Sequence, residues 1–111
     1  ASAGLLLLAA LAAPSAAAET VKVALFPVEL EDSSLEGEVG GLRADETARL
    51  KLVTEETRRL LAAVPGVELV DLAPFAAEIA DKQPLYRCNG CEAEVARRAG
   101  AELSLFGALT V

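Results

Sequence analysis

Cys88 and Cys91, the only two cysteines, sit together in a Cys88-Asn89-Gly90-Cys91 run, and this pair is the clearest chemical handle in the sequence. Two thiols at this spacing can close a local disulfide, exchange it with another thiol pair, or supply half of a metal set. Zinc takes four protein ligands in a structural site and three in a catalytic one, so a chain with no histidine and no second cysteine pair excludes the standard zinc folds. Glu92 stands where a c-type haem motif needs histidine, which excludes haem attachment as well. A structural staple and an exchangeable redox pair remain. The staple, closing so short a loop, stabilises by about 2 kcal/mol. For the redox reading, a helix opening near Asn89-Gly90 would favour a thiolate on the first cysteine and make Cys88 the attacking thiol, with Cys91 its partner. Against it stand a proline-containing connector where a strand would be expected, the late position of the motif, and the lack of an aromatic residue before Asn89.

Other residue types offer less. Glu29, Glu31, Asp32, Glu36 and Glu38 are hard oxygen donors that could gather around Ca²⁺ or a similar cation, although their spacing is not that of an EF-hand; a solvated acidic loop is the plainer reading. Tyr86 and Arg87 could form a small recognition patch, or Tyr86 could simply cover the core edge. Without histidine there is no Ser–His or Cys–His nucleophile. Gly37, Gly40 and Gly41 lie among anionic neighbours and lack a following Lys-Ser or Lys-Thr, so they make no phosphate loop. Nothing fixes two carboxylates across a cleft, so no catalytic residue and no cofactor is expected.

The front of the chain sets the compartment. Leu5 to Ala13 is an apolar block followed by Pro14, Ser15 and Ala16-Ala17-Ala18, the core and small-residue cleavage site of a secretory signal peptide. The block falls short of the ~20 residues needed to span a bilayer. The missing charged segment ahead of it suggests a clipped start. Removing residues 1–18 removes no charge, so the net charge of −7 falls on the remaining body. An acidic body repels nucleic acid and anionic lipid. Roughly ninety residues allow one domain, residues 19–111, with one modest core. Export places it in the periplasm or outside a bacterial cell, where a disulfide persists.

Thr20 to Val28 carries apolar residues on both alternating faces, as a doubly covered strand does, with Pro27 ending its regular pairing. Residues 29–44 show neither period and read as a long acidic loop. From Asp45 to Val64, Leu50, Val53, Leu60, Leu61 and Val64 recur at helical spacing; Asp45 caps the start, Glu55–Arg59 is an i,i+4 pair, and Pro65-Gly66 stops the helix. Val67 to Val70 reads as a second strand, and a short helix follows from Asp71 and Pro74 to Ala80. A connector over 81–87 leads to a helix from Asn89 to Ala99, supported by Glu94–Arg98 and closed by Gly100. Glu102 to Val111 alternates as a third strand. Strands alternating with helices predict a small α/β domain of two or three layers, in the order β-α-β-α-α-β, with a mainly parallel sheet. Its apolar last strand leaves an open edge, so the final antiparallel strands are expected to lie beyond this chain or to come from another protomer.

Val21-Lys22-Val23-Ala24-Leu25-Phe26-Pro27, the long helix with its Pro-Gly stop, Val67-Glu68-Leu69-Val70-Asp71, and Ala96 to Gly107 with its Gly100-Ala101 step together resemble the amino-terminal domain of TolB. They are similar too to envelope domains of the curli-assembly lipoprotein type. The CNGCE element and the Leu35-Glu36-Gly37-Glu38 stretch resemble a group of uncharacterised bacterial secreted proteins with this domain. The resemblance implies an envelope role through binding another protein, and it carries no catalytic residues. The expectation is therefore a non-enzymatic exported domain with a local disulfide. The alternatives are a thiol–disulfide redox accessory and a cation-binding module.

Overall fold

The computed structural model describes residues 19–32 and 34–110, so the export-signal reading of residues 1–18 lies outside the described residues, as does Val111. Strand β1, Val21–Leu25, has a parallel neighbour on each side. Val21 and Val23 pair with Val67 and Leu69 of β3 (Val67–Leu69), while Val23 and Leu25 pair with Leu103 and Leu105 of β4 (Leu103–Leu105). The domain is α/β with a mainly parallel sheet, ordered β3-β1-β4.

Pro27 interrupts the first strand without ending its pairing. The Phe26 N–H still donates to the Leu105 carbonyl, and the Glu29 N–H donates to the Gly107 carbonyl, both at 2.9 Å. Parallel pairing then resumes between β2 (Glu29–Glu31) and β5 (Ala108–Thr110). A proline has no N–H for the ladder, so the break falls where it stands. The tail, expected as one strand, is accordingly two, parted at Phe106-Gly107.

Parallel neighbours need crossovers. Helix α2 (Ala44–Ala62) supplies the one into β3, and α3 (Ala76–Lys82) with α4 (Cys91–Arg98) supplies the one into β4. The first connection moves to one side of β1 and the second to the other, so right-handed crossovers put their helices on opposite faces. The result is three layers. On the α3–α4 face, Ala24 and Phe26 are fully buried against Ile79, Leu85, Val95 and Ala96, and this is the core. Val23 and Leu25 alternate onto the α2 face.

The α2 layer is less complete. Its one buried residue is Thr54, whose Oγ1 accepts the Val28 N–H and donates to the Leu50 carbonyl, each at 2.9 Å. Val53, Leu60 and Val64 follow the expected helical spacing and yet stay exposed. Arg43, not Asp45, is the N-cap, with Glu46 Oε1 accepting its N–H at 3.0 Å. Arg58 and Arg59 pair with Glu55 and Glu56 three residues back, in place of the expected Glu55–Arg59 pair. Gly66 (φ +83°) turns the chain into β3, where a Cβ would lie 3.3 Å from the Glu19 carbonyl oxygen.

The acidic stretch over 29–44 is not one long loop, because it holds β2 and helix α1, Leu35–Gly40. Side-chain capping forms α1: the Ser34 Oγ accepts the Gly37 N–H at 3.2 Å. Asp32 in turn accepts from the Ser34 hydroxyl at 2.6 Å and the Ser34 N–H at 2.9 Å, which holds its carboxyl below the usual range. Such local bonds leave no periodic trace in a sequence.

Glu78 of α3 clamps α4 by accepting from Arg98 as well as from its own-helix Lys82. Arg98, expected to pair with Glu94, reaches across to Glu78, and Glu94 acts on it only through the field. The Arg98 hydrogen bond, then that of Lys82, pull the Glu78 carboxyl down to about 2.

Phe26→Ala is expected to cost about 3–5 kcal/mol in urea unfolding, against less than about 0.5 for Leu52→Ala on the exposed side of α2. Because the folded Glu78 carboxyl lies below its unfolded value of 4.5, its pairing contributes above that pH and is lost as pH falls toward about 2. Carboxyl NMR titration should show that low midpoint, and Arg98→Ala should move it upward.

Candidate functional site

Asn89 and Gly90 decide where the last helix starts. Both adopt left-handed backbone (φ +60° and +89°), so α4 begins at Cys91 and not at the expected Asn89. Cys88 instead closes the 3-10 turn Leu85–Arg87, donating its N–H to the Leu85 carbonyl at 3.1 Å. The two sulfurs are bonded to each other, with Cα atoms 5.5 Å apart. Both cysteines are half-buried and pack on the core.

A carboxylate stands beside this bond. Glu92 is 8% exposed, and its Oε2 lies 3.5 Å from the Cys88 Sγ. The helix end, with its free N–H groups, therefore belongs to Cys91, while the negative group faces Cys88. Preference for Cys88 as attacking thiol rested on a helix opening at Asn89, and the observed start shifts that advantage by three residues. Cys88, Cys91 and Glu92 are also the one group of metal-type donors gathered among the described residues, but the disulfide uses both sulfurs.

Glu29 has a different task from the one its charge suggested. It is 7% exposed, and its carboxylate accepts the Leu85 N–H at 2.8 Å and the Tyr86 N–H at 3.1 Å. A strand residue thereby holds the start of the turn that carries Cys88, just after the cis Gln83-Pro84 bond. Glu29 is thus tied up in the interior, Asp32 is engaged by Ser34, and the side chains of Glu36 and Glu38 lie outside the described ones. Among the described residues Glu29, Glu31 and Asp32 form no common ligand cluster.

Tyr86 and Arg87 stand together, the Arg87 guanidinium 5.4 Å from the Tyr86 ring centre. They line the end of an open groove of about 940 Å³ that runs between β2, α1 and α2. Lys51, Arg58 and Arg87 line it together with Asp32 and Glu55, and Arg58 lies 3.8 Å from Glu55 on the same helix. The groove has the size of a small-ligand site, but its charges are mixed and no set of groups converges on one reacting atom.

Sequence reasoning missed Glu29 and Glu92 as structural participants. No local signal marked Glu29, since the alternation in Val28-Glu29-Leu30 favours burying Val28 and Leu30, whereas Glu29 is the buried one. For Glu92 the signal was a carboxylate in a first helical turn, next to a cysteine.

No helix among the described residues is long and apolar enough to cross a membrane. A family model described as "Protein of unknown function (DUF2380)" matches residues 21–110. No curated protein and no solved structure matches the chain.

Glu29→Ala leaves the buried Leu85 N–H and the partly buried Tyr86 N–H without an acceptor and is expected to destabilise by about 2–4 kcal/mol. Hydrogen exchange at Leu85 and Tyr86 should accelerate most. Unchanged exchange at those two amides would show that the turn does not depend on the carboxylate.

Proposed function

The chain belongs to that family, and we propose that it is an exported, non-enzymatic α/β domain that binds another envelope or periplasmic protein along its open sheet edge. One observation carries this reading. Among the described residues β4 and β5 are paired on one side only, and Leu103, Leu105 and Leu109 along them are 57%, 43% and 48% exposed. An unpaired edge with apolar side chains is the surface to which proteins add a strand. Burying the remainder of three leucines gains roughly 2–4 kcal/mol, enough to matter in a modest interface. The net charge of −7 favours a basic partner and disfavours nucleic acid and anionic lipid.

The chemistry of the chain supports binding over catalysis. It has no histidine. The buried Glu29 carboxylate is engaged by backbone, and Glu78 by Arg98 and Lys82. The resemblance to TolB-type and curli-lipoprotein-type envelope domains adds to the same reading, as does the apolar block and small-residue run over residues 5–18, which directs export. Within this reading the disulfide keeps the turn at Cys88 joined to α4.

A photo-crosslinking residue placed at position 105 or 109 of the full chain, in producing cells, is expected to yield a discrete adduct with one basic protein. Exposed Arg97, on α4, provides the control position. The adduct should come from the envelope fraction, contain chain beginning at Glu19, and vanish when the neighbouring edge residue is changed by Leu103→Asp. Adducts of the chain only with itself would replace the partner with a second copy, and equal adducts at position 97 would sink the edge assignment.

A further inference from the structure

We propose that the Cys88–Cys91 pair exchanges with protein disulfides, with Cys91 as the attacking sulfur, Cys88 as the resolving sulfur and Glu92 as the proton acceptor for Cys88. The proposal goes beyond the reading above by replacing the purely structural, non-enzymatic role of the pair; the docking edge on β4–β5 does not depend on it, and its test reads sulfur chemistry alone.

Three observations support it. Cys91 is the first residue of an eight-residue helix, where free N–H groups and the helix dipole favour a thiolate. Glu92 is 92% buried by its 8% exposure and places Oε2 3.5 Å from the Cys88 sulfur. In the disulfide that sulfur has no hydrogen to give, and among the described residues no other side chain donates to this carboxylate. Reduction supplies the missing donor, a Cys88 thiol. The two cysteines are thus chemically unequal: the single negative charge of the reduced pair goes to Cys91, and the proton stays on Cys88 beside the carboxylate.

The exchange balances in two steps. The Cys91 thiolate attacks one sulfur of a substrate protein disulfide, forming a mixed disulfide and expelling the substrate's other sulfur as a thiolate. Cys88 then passes its proton to Glu92 and attacks the Cys91 sulfur, closing the Cys88–Cys91 bond and expelling the second substrate thiolate. Two electrons have moved from the chain to the substrate, and the Glu92 proton leaves to solvent or to a product thiolate. A dithiol partner protein resets the pair by the reverse sequence. Both cysteines are half-buried, and the Asn89-Gly90 loop between them is exposed.

The chain is reduced with a dithiol, freed of reductant and given limiting iodoacetamide at neutral pH, with the two sites counted by peptide mass spectrometry. Cys91 should be alkylated at least tenfold faster than Cys88. Stopped-flow reaction with a chromogenic aryl disulfide then separates mixed-disulfide formation from ring closure. Glu92→Gln should slow ring closure at least tenfold while changing the first attack by less than threefold, a split that loss of packing alone does not produce. Cys88→Ser keeps the measurement secure if Glu92→Gln folds poorly, because it should trap the mixed disulfide on Cys91. Faster alkylation of Cys88, equal slowing of both steps in Glu92→Gln, absence of a trapped adduct on Cys91, or a pair that resists reduction by millimolar glutathione would each overturn the proposal.

Discussion

The contact on which the lower half of the domain depends is the Glu29 carboxylate on the Leu85 and Tyr86 amides. A buried carboxylate is costly unless hydrogen-bonded, and the first N–H groups of a 3-10 turn have no partner of their own, so each satisfies the other. This bond spans 56 residues of sequence and fixes the turn against β2. Leu85 then enters the core at 2% exposure, and Cys88 arrives where the start of α4 can meet it. The placement of the disulfide thus follows from a strand residue far away in the chain.

The two helical layers differ in how much apolar surface they cover. Opposite hands of travel from β1 oblige the crossovers to cover both faces, but only α3 and α4 bury a full set of apolar side chains. On the α2 side Thr54 alone is buried within the helix, and the apolar side chains of Val53, Leu60 and Val64 remain in contact with water. Leu103 and Leu105 share the side of Val23 and Leu25, their pairing partners in β1, yet sit on the sheet's last strand. That face therefore retains exposed apolar surface.

How much of this was legible in the sequence depends on the length scale of each signal. The parallel α/β plan was readable because it rests on repeated apolar spacing: Val21 to Leu25, Leu50 to Leu61 and Val67 to Leu69 fall in the elements expected of them, while Val64 lies past the end of its helix. The acidic stretch was misread because β2 is three residues long and α1 six, too short for either period to show. Ion-pair partners were misassigned where a tertiary partner competes with a local one, as when Arg98 chooses Glu78 over Glu94. The start of α4 depended on two consecutive left-handed residues, and Asn89-Gly90 is as compatible with a turn as with a helix opening. Glu29 and Glu92 were invisible as partners because one meets its amides from 56 residues away and the other meets sulfur only through that turn.

The disulfide and the carboxylate beside it act in opposite directions on one equilibrium. Closing the short loop favours the oxidised chain by about 2 kcal/mol. In that same state the Glu92 Oε2 faces a sulfur without a hydrogen, at 8% exposure of its residue. Reduction gives it a thiol donor, and a hydrogen bond to a charged group is worth about 1.5–3 kcal/mol. The two contributions are comparable in size and opposite in sign. A pair serving only as a staple gains nothing from a buried carboxylate at Cys88, whereas a pair that opens and closes needs a place for the Cys88 proton in the resolving step. The position of Glu92 is a destabilising liability for the first role and a working part of the second.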